Sequence, residues 1–190
     1  MRVLAFTGMP GSGKTEAVRL AREAGLPVIR MGDFVMLELE ARGLPPEERH
    51  IGPIATGMRA EHGADVWAAR TTEAILDPDN DTVPHDAPVL VIDGVRSFAE
   101  ITRFRRDLGD GFTLIAITAP ETLRHARILG RGRGDDAATL ADVQARDARE
   151  RGWGIEDAIA AADETVLNDD GLGPFQAAVR DALRRHGAHP

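Results

Sequence analysis

The chain has 190 residues, enough for one domain with a full core, and no apolar run of the roughly 18–20 residues needed to cross a membrane. A net charge of −8 excludes duplex nucleic acid as a general partner, because neutralising its phosphates requires a basic face. The absence of cysteine excludes disulfides, thiolate metal ligands and a cysteine nucleophile, and with no secretory signal pattern at the start the expected location is the cytoplasm.

Residues 2–7 form a short apolar run ahead of glycine, which predicts a buried parallel strand. Residues 14–24 carry a helical pattern closed by Gly25, and residues 26–30 read as a second strand. A helix is expected from Asp33 to about Ala41, ahead of Gly43 and the Pro45-Pro46 break. Residues 53–76 are mostly helical with an interruption at Gly63, and residues 77–88 are a turn-rich loop. "VLVID" at 89–93 is the strongest strand signal, followed by a helix at about 97–108 and a buried strand at 112–118. Pro120 opens a helix to about Leu129; the glycine-rich "GRGRGDDAA" at 130–138 suits a mobile loop. Helices follow at 140–150 and 155–161, then a short strand "ETVL" and a last helix at 173–185. Strands alternating with helices predict an α/β protein, a parallel sheet covered on both faces, with residues 1–190 as a single domain.

Between the first strand and the first helix lies Gly8-Met9-Pro10-Gly11-Ser12-Gly13-Lys14-Thr15, which fits the G-x-x-x-x-G-K-[ST] phosphate-loop spacing in its required setting. Glycines let the backbone curl so that its N–H groups face phosphate oxygens, and the helix N-terminus adds a positive dipole end. Of 23 basic side chains in the chain, Lys14 is the one lysine. A compact ammonium on a flexible stem suits a site between the β- and γ-phosphates; a planar guanidinium fork does not. Thr15 is expected to offer its hydroxyl to Mg²⁺.

Asp93 ends a core strand and is the expected second magnesium group. Asp33 follows the second strand; it is read as a helix cap, as a group that contacts the acceptor and takes a proton from an attacking hydroxyl, or as both. Arg96, three residues past Asp93, should face the same cleft. Arg124, Arg127 and Arg131 recur at helical spacing before the glycine-rich loop, and Arg146, Arg149 and Arg151 lie beyond it, so a lid that closes arginines over a γ-phosphate is expected. Phe34 and Trp67 are candidates for stacking on an acceptor or for the core. The six histidines show no metal-ligand spacing.

"GMPGSGK", "MGDF", "VIDGVR" and "RILGRGRGDD", in that order, resemble a family of archaeal P-loop kinases related to dephospho-CoA kinase and adenylate kinase, over residues 1–179. The resemblance implies a five-stranded parallel sheet of order 2-3-1-4-5, a lid around 130–138 and an acceptor-binding helical region around 33–76. It also implies ATP and Mg²⁺ as donor and cofactor, Arg96 on the acceptor phosphate and Asn168 near the adenine. One departure stands out. Where adenylate kinases place an arginine three residues past the aspartate of "GD", this chain has Met36, which weakens a nucleoside monophosphate reading; Arg30 or Arg59 are the available substitutes.

The expected function is ATP- and Mg²⁺-dependent phosphoryl transfer to a small nucleotide-like acceptor, with dephospho-CoA first and a nucleoside monophosphate second. Lys14, Asp33, Arg96 and Arg131 are the expected catalytic residues, and residues 8–15, Arg127 and Asn168 the expected nucleotide-binding ones. The alternatives are a regulatory NTP-hydrolysing switch or assembly ATPase, and a nucleotide-binding module without turnover.

Overall fold

The computed structural model describes residues 1–131 and 139–187, without the side chains of Glu48 and Arg131. The elements are β1 (Arg2–Thr7), α1 (Lys14–Glu23), β2 (Val28–Arg30), α2 (Met31–Ala41), α3 (Glu48–His62), α4 (Val66–Leu76), β3 (Val89–Asp93), α5 (Phe98–Leu108), β4 (Phe112–Thr118), α6 (Glu121–Arg131), α7 (Leu140–Gly152), α8 (Ile155–Ala160), β5 (Glu164–Leu167) and α9 (Leu172–Arg185). The five strands make one sheet in the order β2-β3-β1-β4-β5. Every pairing is parallel, with Phe6 opposite Asp93 and Asp93 opposite Arg30. This is the order that the kinase resemblance implies.

The strands are apolar almost throughout because both faces of the sheet are covered. Successive side chains alternate between faces. Val3, Ala5, Leu90, Ile92, Phe112 and Leu114 join a core with the α2–α5 helices. Leu4, Phe6, Val89, Val91, Ile115 and Ile117 join a second core with α1 and α9. All strands run the same way, so their C-terminal ends share one edge, where a ligand has access to the loops.

Three expectations change. Helix α3 begins at Glu48, ahead of the expected start, and holds Pro53 inside it. A proline early in a helix removes one backbone bond, here to the carbonyl of the exposed Arg49, and packing of the helix on the core offsets that loss. Strand β2 is confined to Val28–Arg30, because Pro27 has no N–H to donate; its carbonyl still accepts from Val91 N–H at 2.9 Å. Asp33 is not a cap: β2 runs directly into α2, Arg30 takes the N-cap position, and Asp33 falls in the first helical turn.

Candidate active site

The loop between β1 and α1 is built from glycine geometry. Gly8, Gly11 and Gly13 all have positive φ, at 143°, 77° and 116°. A Cβ on Gly8 would collide with the Ile117 carbonyl, and one on Gly13 with the Asn168 amide; on Gly11 it would lie 2.6 Å from the Arg124 carbonyl. The loop is therefore pressed against β4, α6 and the residue after β5, and no side chain fits between. Three long-range bonds fix it. Thr7 Oγ1 donates to Val95 O at 2.8 Å, Asn168 Nδ2 donates to Ser12 O at 2.8 Å, and Arg124 Nη1 donates to Pro10 O at 2.8 Å. The Met9 and Ser12 side chains are buried, so these two expected nucleotide-binding residues can serve a ligand through the loop backbone only.

Lys14 opens α1 and is half-buried. Its Nζ donates to Gly8 O and, at 3.1 Å, to Met9 O. Burial lowers its pKa from 10.5 to about 8; Glu150 and Asp93 oppose that, and Arg96 and Arg146 add to it. The buried ammonium leans on loop carbonyls and is held at a cost.

A cavity of about 710 Å³ opens over this loop. Gly8, Pro10, Gly11, Gly13, Lys14 and Thr15 line its floor, with Asp93, Arg96, Arg127, Arg146, Glu150 and Asn168 around it. Thr15 is exposed, and the Asp93 carboxylate is one-fifth exposed with Arg30 Nε at 3.8 Å, beyond hydrogen-bond length. A hydroxyl and an accessible carboxylate facing one space are hard oxygen donors that fit Mg²⁺.

A second cavity of about 420 Å³ adjoins the first and shares Arg30, Gly32, Gly94, Arg96, Arg146 and Glu150 with it. Asp33 lines the second cavity only, is largely exposed, and lies 3.9 Å from Arg30 Nη1. Arg96 is held where the two meet. Its backbone N–H donates to Glu100 Oε2 at 2.7 Å, and its Nη1 is 3.3 Å from Glu150 Oε1. Glu100 does double service: it closes the capping box of α5 with Ser97, and its other oxygen accepts from Arg59 Nη2 at 2.9 Å. Burial pushes the Glu100 carboxyl up, while Arg59 and the Arg96 N–H pull it back.

The remaining candidates separate. Arg127 faces the first cavity and donates through Nη2 to Asn168 O and Oδ1, both at 3.1 Å. Asn168 therefore braces Arg127 and the loop together. Arg124 is not a lid cation. It is buried and makes a bidentate pair with Asp147, at 3.1 and 2.7 Å, which also meets His125 Nε2 at 3.0 Å. Arg151 pairs with Glu156 and Glu121 on the surface, away from both cavities. Trp67 is fully buried and donates through Nε1 to Ala55 O at 3.2 Å, and Phe34 packs against the same core, although Trp67 also touches the floor of the second cavity. The Arg131 side chain and the expected lid segment beyond Gly130 lie outside the described residues.

Glu121, His125 and Asp147 bring three possible metal-ligand atoms within 4.8 Å of one another, a grouping that histidine spacing does not reveal. Two guanidiniums already occupy it, Arg124 on Asp147 and Arg151 on Glu121, so these carboxylates are paired without a metal ion. Glu150, Glu100 and Trp153 are the site residues that sequence reading missed. Their signal is long-range: each acts on an arginine tens of residues away.

Residues 7–144 match the AAA domain family. A UPF0200 protein of Methanosarcina barkeri is 41% identical over 186 residues, covering 98% of this chain and 96% of that protein. A UPF0200 protein of Halobacterium salinarum is 44% identical over 189 residues, covering 100% and 96%. Among solved structures, a shikimate kinase from Acinetobacter baumannii in complex with shikimate superposes with a TM-score of 0.55 at 13% identity, covering 97% of this chain and 92% of that one. A gluconokinase from Sinorhizobium meliloti gives 0.54 at 15% identity, covering 97% and 94%. These two share the fold, a P-loop kinase fold, and at such identity nothing finer. The identity and near-complete coverage of the archaeal relatives, together with the match over residues 7–144, show that the chain belongs to the UPF0200 family and carries an AAA domain.

Proposed function

We propose that the protein transfers the γ-phosphoryl group of ATP to a small nucleotide-like acceptor, with Mg²⁺ as cofactor. The observation that carries this reading is the second cavity: it joins the phosphate-loop cavity and shares Arg96, Arg146 and Glu150 with it. A site built only to hydrolyse a nucleotide needs room for water, not an adjoining chamber. In the proposed reaction an acceptor oxygen attacks the γ-phosphorus, the bond to the β–γ bridging oxygen breaks, and ADP leaves.

Lys14 and the loop amides hold the phosphates, and Arg127 and Arg146 flank them. Arg131 is assigned to the γ-phosphate on its position in the sequence alone. Magnesium, held by Thr15 and Asp93, would neutralise charge on the phosphate oxygens. Asp33 takes the proton when the acceptor is a hydroxyl, and Arg96 orients the acceptor. Asn168 sets the loop and Arg127, on the side assigned to the adenine. Residues 33–76 supply the acceptor wall. Dephospho-CoA is the first acceptor we assign; a nucleoside monophosphate is second, favoured by the arginines of the second cavity.

ADP release should be followed with ATP and Mg²⁺ alone and with each acceptor of a panel containing dephospho-CoA and the nucleoside monophosphates. Acceptor-dependent ADP release with a phosphorylated product is expected. ADP and inorganic phosphate formed at the same rate with and without every acceptor would favour a hydrolytic switch.

A further inference from the structure

The two cavities share six residues: Arg30, Gly32, Gly94, Arg96, Arg146 and Glu150. Four carry long charged side chains and two carry none. Those two glycines follow neighbouring strands. Arg30 and Asp93 are partners across β2 and β3, and the chain runs on from them to Gly32 in the first turn of α2 and to Gly94 after β3. A Cβ on Gly94 would lie 3.5 Å from the Met31 Cβ, so two stretches of backbone lie side by side where the cavities join.

Gly94 has a local cause. Its φ is 112°, a conformation that side chains rarely adopt. Gly32 has no such cause. It lies in a helix with a negative φ, which any residue can adopt, and glycine is a weak choice there because it loses the most backbone freedom on folding. Packing does not demand it either, since a Cβ on Gly32 would meet nothing within 4 Å among the described residues. Gly52, in the wall of the second cavity, differs: it precedes Pro53, whose ring crowds a Cβ on the residue before it in a helix. What Gly32 leaves open is the space that the two cavities share.

We propose that Gly32 is a positioning residue whose missing side chain keeps open the passage between the phosphate-loop cavity and the second cavity, so that an acceptor oxygen can reach the γ-phosphorus. What meets in the passage rests on the kinase reading above; the passage itself rests on the two glycines. Transfer requires the attacking oxygen, the phosphorus and the leaving oxygen roughly in line. The reacting atoms must lie about 3–3.5 Å apart beforehand, and a displacement of about 1 Å can cost about 10²-fold in rate. A side chain at position 32 leaves each ligand its own cavity and holds the two apart. Turnover then falls while nucleotide affinity stays.

The chain has no cysteine, so Gly32→Cys introduces a single thiol. Gly57→Cys is the control, because Gly57 is exposed in α3 and lines neither of these cavities. Methyl methanethiosulfonate converts the thiol to a methyl disulfide and releases methanesulfinate; dithiothreitol reverses this, so one folded protein is compared with itself. A non-hydrolysable ATP analogue with Mg²⁺ should slow modification of Gly32→Cys about tenfold or more, and so should dephospho-CoA or AMP, with no effect on Gly57→Cys. The methyl disulfide in Gly32→Cys should lower kcat for transfer to dephospho-CoA or AMP about tenfold or more, toward the 10²-fold scale of such a displacement. Analogue affinity should stay within about twofold, the denaturation midpoint should not fall, and dithiothreitol should restore the rate. A thiol that the analogue leaves unprotected, or that both acceptor probes leave unprotected, would overturn the passage. So would an unchanged kcat in the modified protein, or a loss of analogue affinity or of stability that matches the loss of rate. Protection needs no turnover, so the two readings fail separately. Protection from both sides with no transfer to any acceptor by the wild type removes the kinase and keeps the passage. Wild-type transfer with an unprotected thiol does the reverse.

Discussion

Lys14 ties the carbonyls of the phosphate loop to the charge of the proposed ligand. Its pKa of about 8 lies below the ordinary 10.5, so between those values the unfolded chain holds a proton that the folded one has lost. The Lys14 contribution to stability therefore rises with pH through that window. Bound phosphate reverses the balance by favouring the ammonium. ATP binding at about pH 9 should take up a fraction of a proton, and affinity should fall as pH rises past about 8. Calorimetry in two buffers of different ionisation enthalpy checks this, with Lys14→Met expected to show no uptake. Lys14→Arg should keep the fold and lose about 10²–10³ in turnover, since a planar fork does not fill an ammonium site against two carbonyls. Near wild-type turnover in that variant would contradict the role. Asp33 is tested by Asp33→Asn. For a hydroxyl acceptor, kcat should fall by roughly 10²–10⁴. An unchanged rate with every accepted substrate would leave Asp33 as a first-turn charge on α2, worth about 0.3–1 kcal/mol.

Helices α6 and α7 are joined through Arg124 and Asp147, and Arg124 also reaches the phosphate loop at Pro10. Burial would raise the Asp147 carboxyl, but hydrogen bonds from Arg124 and His125 outweigh it and hold it below the ordinary range. Removing one partner of such a pair leaves a buried charge alone. Asp147→Asn should therefore cost about 3–5 kcal/mol in denaturant unfolding, and a loss within 0.5 kcal/mol, roughly the scale of a neutral surface change, would contradict the strut. Gly11→Ala tests the same contact from the loop. The added Cβ would press on the α6 backbone at Arg124, so nucleotide affinity should fall more than folding stability does. At this scale β1, the phosphate loop and α1 were legible in the sequence, because a five-residue buried run, three glycines and a helix start are local signals. The start of α3 was not, because Pro53 punctuates the sequence where tertiary packing carries the helix through. Arg124 read as a lid cation for a similar reason: helical spacing cannot reveal that Asp147, 23 residues on, takes its charge.

Across the whole molecule, the parallel sheet sets the candidate site by delivering β1, β2, β3 and β5 to one edge, where Asp93 ends β3, Asn168 follows β5, Asp33 lies in the first turn after β2, and Lys14 opens the helix after the loop from β1. Alternating strands and helices made the layered sheet legible. The strand order came from the resemblance to P-loop kinases, since spacing alone does not order strands. The two joined cavities were not legible, because their walls are closed by pairs far apart in the chain: Arg59 with Glu100, Arg96 with Glu150, and Trp153 with both arginines. On the proposed reading those pairs close the wall of an acceptor chamber, so the fate of the γ-phosphoryl group is the decisive quantity. It can be followed by phosphorus NMR with ATP, Mg²⁺ and dephospho-CoA or a nucleoside monophosphate, with Lys14→Ala as the inactive control. The expected result is a new phosphoester signal on the acceptor that grows in step with ADP, with little inorganic phosphate. Inorganic phosphate as the sole destination, at a rate no acceptor alters, would contradict phosphoryl transfer as the function of this site.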